Sequence, residues 1–365
     1  MTIPQPHLLK TLQTVERAIN DRTTLPILSN VLLEVKEQEL VLTATDLDVG
    51  IQCRFPLPQP TEGGAVTLPA RKLSAIVREL EDDLVVIEAK KNHTATLSCG
   101  PSNFRIPGLP PEDFPILPQP QPGEQATLPQ WGLRMLVTRT ANAMSTEEAR
   151  FILNGALLNV RDNQLTMVTT DGRRLALATT PLSEKPAPQL SVVIPAKTVQ
   201  ELGRLLQEDE QSDVTMTPLK DNQLAFQFAS VTMVTRLIEG QFPQYEKVIP
   251  PPSKHTLTAD RQAFMSAIKR VGLMATATSQ AILFDLSEQQ LTILKEAPEL
   301  GSARETLAVR YTGEPMTIAF NPLFWSEALR VLETSEVKVE VSGPDRPAVI
   351  RQPDLIYLIL PMKIA

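Results

Sequence analysis

Residues 67–73, Thr67-Leu68-Pro69-Ala70-Arg71-Lys72-Leu73, read as the end of a strand, a proline and the first turn of an amphipathic helix. The plan returns as Val193-Ile194-Pro195-Ala196-Lys197-Thr198-Val199 and as Ala319-Phe320-Asn321-Pro322-Leu323-Phe324-Trp325. Its spacing is constant: Leu68, Ile194 and Phe320 lie 126 residues apart, as do Leu73, Val199 and Trp325, and Leu80, Leu206 and Leu332. Self-similarity at a fixed period marks one structural unit repeated in tandem.

Working outward, each unit opens with a further helical pattern of apolar residues three and four apart. Leu8, Leu9, Leu12 and Val15 mark the first, Leu133, Leu136 and Val137 the second, and Phe264, Ala267, Ile268 and Val271 the third. Short β-rich runs separate the helices, among them 40–45, 165–170 and 291–294. Each unit is therefore helix, strands, helix, strands, an α+β plan. Pro-Gln-Pro-Gln-Pro-Gly at 118–123 and Pro-Pro-Pro-Ser-Lys at 250–254 read as extended linkers. They divide the chain into domains at 1–120, 126–249 and 253–365, and the proline-rich stretch 183–189 reads as a loop inside the second.

A chain of 365 residues with 42% hydrophobic residues can fill several cores. Its net charge of −7 argues against simple adhesion to nucleic acid or anionic membrane, which select basic proteins. Cys53 and Cys99 are too few for a disulfide framework or a cysteine zinc site, which points to a reducing cytoplasm. No basic segment followed by an apolar run opens the chain, and no apolar run is long enough to span a bilayer, so neither export nor membrane insertion is expected.

The positive charge is localised. Six helices are expected at 7–22, 70–80, 131–144, 196–206, 260–273 and 322–332, with nets of +1, +2, +2, +1, +2 and 0. Together they carry +8, which leaves −15 on the rest of the chain. Helices tolerate Lys and Arg well, yet glutamate, equally tolerated, is not comparably enriched. Helices lining one surface would attract phosphates there while the remainder repels them. Arg71, Lys72, Arg134, Arg139, Lys197, Arg204, Lys269 and Arg270 are the candidates for that contact. Without interleaved aromatic residues, duplex backbone fits better than single-stranded bases.

Candidates for catalysis are few. His7, His93 and His255 have no partner at metal-ligand spacing, and no phosphate-binding glycine loop or serine elbow is present, so no catalytic residue, metal or cofactor is expected. Asp46 and Asp171 end strands in Thr45-Asp46-Leu47 and Thr170-Asp171-Gly172, 125 residues apart in equivalent repeats. Two aspartates from duplicated lobes could share a proton, which defines an alternative, a two-aspartate hydrolase. Against it, the third unit lacks such an aspartate, and aspartates at strand ends commonly bond turn backbone.

Several stretches, taken in order, resemble one family over the whole chain. They are Arg22-Thr23-Thr24-Leu25-Pro26-Ile27-Leu28, Leu42-Thr43-Ala44-Thr45-Asp46-Leu47, Val66-Thr67-Leu68-Pro69-Ala70-Arg71-Lys72, Thr169-Thr170-Asp171-Gly172-Arg173-Arg174-Leu175-Ala176, Glu239-Gly240-Gln241-Phe242-Pro243 and Leu360-Pro361-Met362-Lys363-Ile364. The family is the β subunit of bacterial DNA polymerase III, the sliding clamp. The resemblance implies three tandem clamp-fold repeats, helices inside and antiparallel sheets outside, closed by a head-to-tail homodimer into a ring around duplex DNA. It implies tethering of the replicative polymerase catalytic subunit, an ATP-driven clamp loader and other polymerases and repair proteins; since the chain has no phosphate-binding glycine loop, nucleotide energy for opening such a ring is expected from another protein.

The resemblance also carries residues. Arg22 matches a DNA-contact position, while Glu147 falls near one that is usually polar and uncharged and is not transferred. Phe104, Leu273 and Met274 match apolar residues of the subunit interface. A partner-peptide cleft is implied at Leu153, Thr170, Gly172, Arg173, Arg174, Leu175, Pro243, Val248, Asn321, Phe324, Leu358, Leu360, Pro361 and Met362. The leucines and Met362 suit an adaptable apolar floor, Pro243 and Pro361 a stiff rim, and Arg174 a peptide carbonyl. Arg173 stands where His or Tyr is usual, Phe324 where Tyr is familiar and Lys363 where Arg is, and Ala365 is an added residue, so peptide preference is expected to differ in detail.

Overall fold

The computed structural model describes residues 1–20, 23–59, 61–81, 83–121, 123–183, 188–209, 211–276, 278–298 and 300–363. Arg22, an expected DNA contact, and Ala365 lie outside them. The chain divides into two compact units, one of residues Met1–Leu133, Leu182–Pro188 and Gln200–Leu237, the other of Arg134–Pro181, Gln189–Val199 and Ile238–Ala365.

Helices form where expected: α1 at Gln5–Val15, α2 at Ala70–Arg78, α3 at Gln130–Thr140, α4 at Ala196–Leu205, α5 at Arg261–Gly272 and α6 at Pro322–Arg330. Several stop short of the expected ends. Residues 16–18 and 141–143 tighten into 3-10 turns, which satisfies carbonyls that an α-helical end would leave unpaired. Pro6 and Pro322 sit in the first turns of α1 and α6, where a missing N–H costs no intrahelical bond. Asn321 accepts a hydrogen bond from the Leu323 N–H, and Asp260 caps α5 by accepting from Ala263. The repeated motif is a hinge between sheet and helix: Gly64–Pro69 runs directly into α2, and Leu190–Pro195 into α4.

The first unit holds two antiparallel sheets. One has the order Thr2–Pro4, Leu84–Ala89, Thr94–Cys99, Ser102–Pro107. The other runs Gly64–Pro69, Asn30–Lys36, Glu39–Thr45, Val49–Pro56, Val231–Arg236, Gln223–Phe228, Asp213–Leu219, Ala126–Pro129. Strands of the first and second repeats thus join in one sheet, where Val49–Pro56 meets Val231–Arg236 with Gly50 opposite Val234. α1 packs against α2 and on this sheet through Leu8, Leu12 and Val15, leaving Lys10 outside.

The second unit repeats the device. Its longer sheet runs Leu190–Pro195, Gly155–Arg161, Gln164–Thr170, Arg174–Pro181, Leu355–Ile359, Ala348–Gln352, Glu336–Val341, Thr256–Asp260, Arg310–Tyr311. Here the second and third repeats join where Arg174–Pro181 meets Leu355–Ile359, with Leu175 opposite Leu358. The shorter sheet is Gly301–Ala308, Gln290–Ala297, Ile282–Ser287, Met316–Phe320. α5 packs on α6 and seals its core with Phe264, which stacks at 5.4–5.6 Å on Trp325 and Phe284. Compact units and sequence repeats therefore do not coincide, because hydrogen-bonded sheets cross the repeat boundaries.

Candidate partner-binding cleft and basic helix positions

Thr170-Asp171-Gly172-Arg173-Arg174 turns the chain from one strand into the next. The Asp171 carboxylate accepts from the Arg173 and Arg174 backbone N–H groups at 2.8 and 3.0 Å. The Thr170 hydroxyl donates to the Arg174 carbonyl and accepts from the Gly172 N–H, whose residue has φ +83°. Thr45-Asp46-Leu47-Asp48-Val49 builds the same turn: Asp46 accepts from Asp48 and Val49, Thr45 donates to the Val49 carbonyl, and Leu47 has φ +79°. Both carboxylates are turn caps held by their own backbone, each in a different unit. The two-aspartate hydrolase has no support.

The turn delivers Arg174 to the interior. Its side chain is 7% exposed, Nε donates to Asp171, Nη1 donates to Glu327 and to the Tyr357 hydroxyl, and the guanidinium lies 4.4 Å from the Phe324 ring centroid. Burial opposes its charge, and Tyr357, Glu327 and Asp171 outweigh that effect, so its pKa rises. Burial pushes the Tyr357 hydroxyl far above its usual range, which keeps it a neutral donor to Asn142. Of the Arg174 donors, Nε serves Asp171 and Nη1 serves Glu327 and Tyr357, and the guanidinium backs Phe324.

Register brings several of the remaining candidate residues together. Leu175 and Leu358 are cross-strand partners, the Leu360 N–H donates to the Arg173 carbonyl at 2.9 Å, and Met362 bridges to Ala319 at 2.8 Å. Leu153, Leu175 and Leu358 are buried in one cluster with Phe242 and Val349, with Tyr245, Ile249 and Ile152 packed against it. Phe324 is also buried. Gly172, Arg173, Pro243, Val248 and Leu360 are exposed around them, and Thr170, Asn321, Pro361 and Met362 are half-buried. Sequence reasoning missed Glu327 and Tyr357, the inner partners of Arg174, and Asn142, which accepts from the Tyr357 hydroxyl and donates to the Glu327 carbonyl. Their only signal was a polar group in an apolar helix or strand. Glu147 lies 3.8 Å from Arg173 and 3.2 Å from Arg150, which places an acidic partner beside that rim arginine.

The basic candidates divide by environment. Arg71, Lys72, Arg204, Lys269 and Arg270 are exposed, and Arg134 and Lys197 are half-buried. Arg204 pairs with the buried Glu201 at 2.6 Å, and Arg270 forms a two-pronged pair with Glu305 at 2.7 and 2.9 Å. Arg139 departs furthest from a free phosphate contact, since its mostly buried side chain is held by Asp354 and lies 4.0 Å from Glu333. Phe104 and Leu273 are 36% and 80% exposed and Met274 is half-buried, so none of the three is a fully enclosed core residue within its unit.

Three stretches match the DNA polymerase III beta subunit, residues 1–118 its N-terminal domain, 127–244 its central domain and 246–363 its C-terminal domain. The chain belongs to the DNA polymerase III beta subunit family. It is 34% identical to the beta sliding clamp of Pseudomonas putida, over 100% of this chain and 99% of that one. It is 33% identical to the beta sliding clamp of Escherichia coli at the same coverage. The crystal structure of the Pseudomonas aeruginosa DNA polymerase III subunit beta superposes with a TM-score of 0.94 at 33% identity, covering 100% of both chains. Three tandem clamp domains and the role of a DNA polymerase III sliding clamp follow, with DNA and polymerase as its partners in replication. Among the described residues no helix is long and apolar enough to cross a membrane.

Proposed function

We propose that this clamp works without catalysis, as a processivity factor in which two copies close head to tail around duplex DNA in the cytoplasm. The supporting observation is a pair of unpaired sheet edges. At both joints inside the chain, the third strand after a repeat's first helix pattern meets the last strand of the following repeat: Val49–Pro56 with Val231–Arg236, and Arg174–Pro181 with Leu355–Ile359. One edge of each kind stays open among the described residues. Gly301–Ala308 is the third-strand kind and Ser102–Pro107 the last-strand kind. An open edge invites another strand, and here the complementary edge belongs to a second copy. Phe104 lies on one edge strand, while Leu273 and Met274 follow α5, which packs against the other. Closure by joints of this kind would hold an acidic chain on DNA by topology, with the basic helix residues making only weak, salt-sensitive phosphate contacts. We assign Leu153, Leu175, Pro243, Val248, Phe324, Leu358 and Met362, with their neighbours, to docking short peptides of the polymerase, clamp loader and repair proteins.

The deciding experiment loads the protein on nicked circular DNA and then linearises the circle. Retention before cutting and loss after it are expected. Equal retention on both forms would overturn the ring.

A further inference from the structure

Both joints inside the chain are made in one register. In each repeat a two-residue turn leads into the strand before the third: Lys36 faces Glu39, Arg161 faces Gln164 and Ser287 faces Gln290. On the third strands, Pro56, Pro181 and Ala308 stand opposite these turn ends. The last strands also follow two-residue turns, and they begin at Ser102, Val231 and Leu355. Cys53, three residues before Pro56, faces Val231, and Ala178, three before Pro181, faces Leu355. Carried to the open edges, the same rule sets Glu305, three before Ala308, opposite the partner's Ser102. Arg304 then faces the partner's Asn103, Ala303 the partner's Phe104 and Ser302 the partner's Arg105.

Side-chain direction supports that register independently. Glu305 bonds Arg270 of α5, so Ala303, Glu305 and Leu307 face the helices, and Ser302, Arg304 and Thr306 face away. On the other edge Phe104 stands opposite the buried Leu97 and Ile106 is itself buried, so Arg105 faces away. The rule therefore joins like faces, which a slip of one residue would not. On the outward face Arg105, Glu296 and Arg304 are exposed, and no described residue pairs with any of them. Glu296 faces Ser302 within its own sheet, so the partner's Arg105 would lie two strand spacings from Glu296, roughly 10 Å, with only the small Ser302 between. Glu88 stands equally far on the other side of Arg105, behind Thr96, so the joined edges would hold Arg105 between two carboxylates. Arg304, diagonal to that arginine, meets the partner's Asn103, whose Nδ2 donates to Ser98 at 2.9 Å and whose Oδ1 can accept. At the internal joints the places of Glu296 and Arg105 hold Thr45 with Val234 and Thr170 with Leu358. Opposite charges at these places are thus confined to the two edges left open.

We propose that two copies join in this register and that Arg105 of one pairs with Glu296 of the other across Ser302. The contact fixes the alignment of the edges and selects a second copy of this chain, rather than another strand, as their occupant. This rests on the ring reading given above.

The test measures self-association of the full-length protein by sedimentation equilibrium at low and high salt. Arg105→Glu and Glu296→Arg are each expected to weaken it about tenfold at low salt, since a ring contains the contact twice, and less at high salt. Both changes in one chain should restore it to within about threefold of the wild type. Losses that simply add in the double variant would overturn the ion pair. Oxidative cross-linking reads the register through other residues: Asn103→Cys with Arg304→Cys should link two chains faster than Asn103→Cys with Ser302→Cys or with Thr306→Cys. Faster linking of either shifted pair would overturn the register. A wild type that stays monomeric in every condition would count against the ring itself.

Discussion

Asp171 performs two tasks, closing a turn and neutralising a buried guanidinium. Asp171→Ala should therefore destabilise the protein by about 2–4 kcal/mol in urea unfolding, because Arg174 keeps its charge and loses one of its carboxylates. Leu47 occupies the position that Gly172 fills in the next repeat, at nearly the same positive φ. A Cβ is unfavourable there, so Leu47→Gly should raise stability by about 0.5 kcal/mol after the entropy cost of glycine, read as a higher urea midpoint. Burial pushes the Cys53 thiol up to about 12, so at pH 8 it is protonated. Iodoacetamide should leave Cys53 unmodified in the native protein and alkylate it in denaturant, as peptide mass mapping would report.

At the scale of elements, edges and tails carry the consequences. Phe104→Asp on the open Ser102–Pro107 strand places a charge where the proposed second copy pairs. It should weaken self-association at least tenfold, about 1.4 kcal/mol, in sedimentation equilibrium, without changing the far-ultraviolet circular dichroism. The terminal segment 360–363 is held by the bonds from Leu360 to Arg173 and from Met362 to Ala319. Deleting residues 360–365 should abolish binding of polymerase-derived peptides while self-association persists, which calorimetry and sedimentation measure separately.

For the whole molecule, charge and topology have to be read together. A net of −7 argues against holding DNA by attraction alone, and in the proposed ring the exposed Lys269 and Arg270 would act on DNA already enclosed. Lys269→Glu should lower loading on circular DNA at low salt, with a smaller difference from wild type at high salt. Arg139→Glu has another expected outcome, because it would place a third carboxylate beside Asp354 and Glu333: loss of stability more than loss of DNA affinity.

The 126-residue period, the helix positions and the basic bias of the helices are local or periodic properties, so the sequence by itself determined three similar α+β repeats. Resemblance named the candidate cleft residues, since no period links Leu153 to Met362. Tertiary structure decided how the repeats join, because strand pairing between 49–56 and 231–236 depends on contacts far apart in the chain. It also decided which arginines are engaged: nothing in the order of residues tells that Arg174 meets Glu327 and Tyr357 while Arg173, its neighbour, faces outward. A strand alternates its side chains between two faces, but only the fold determines what each face meets.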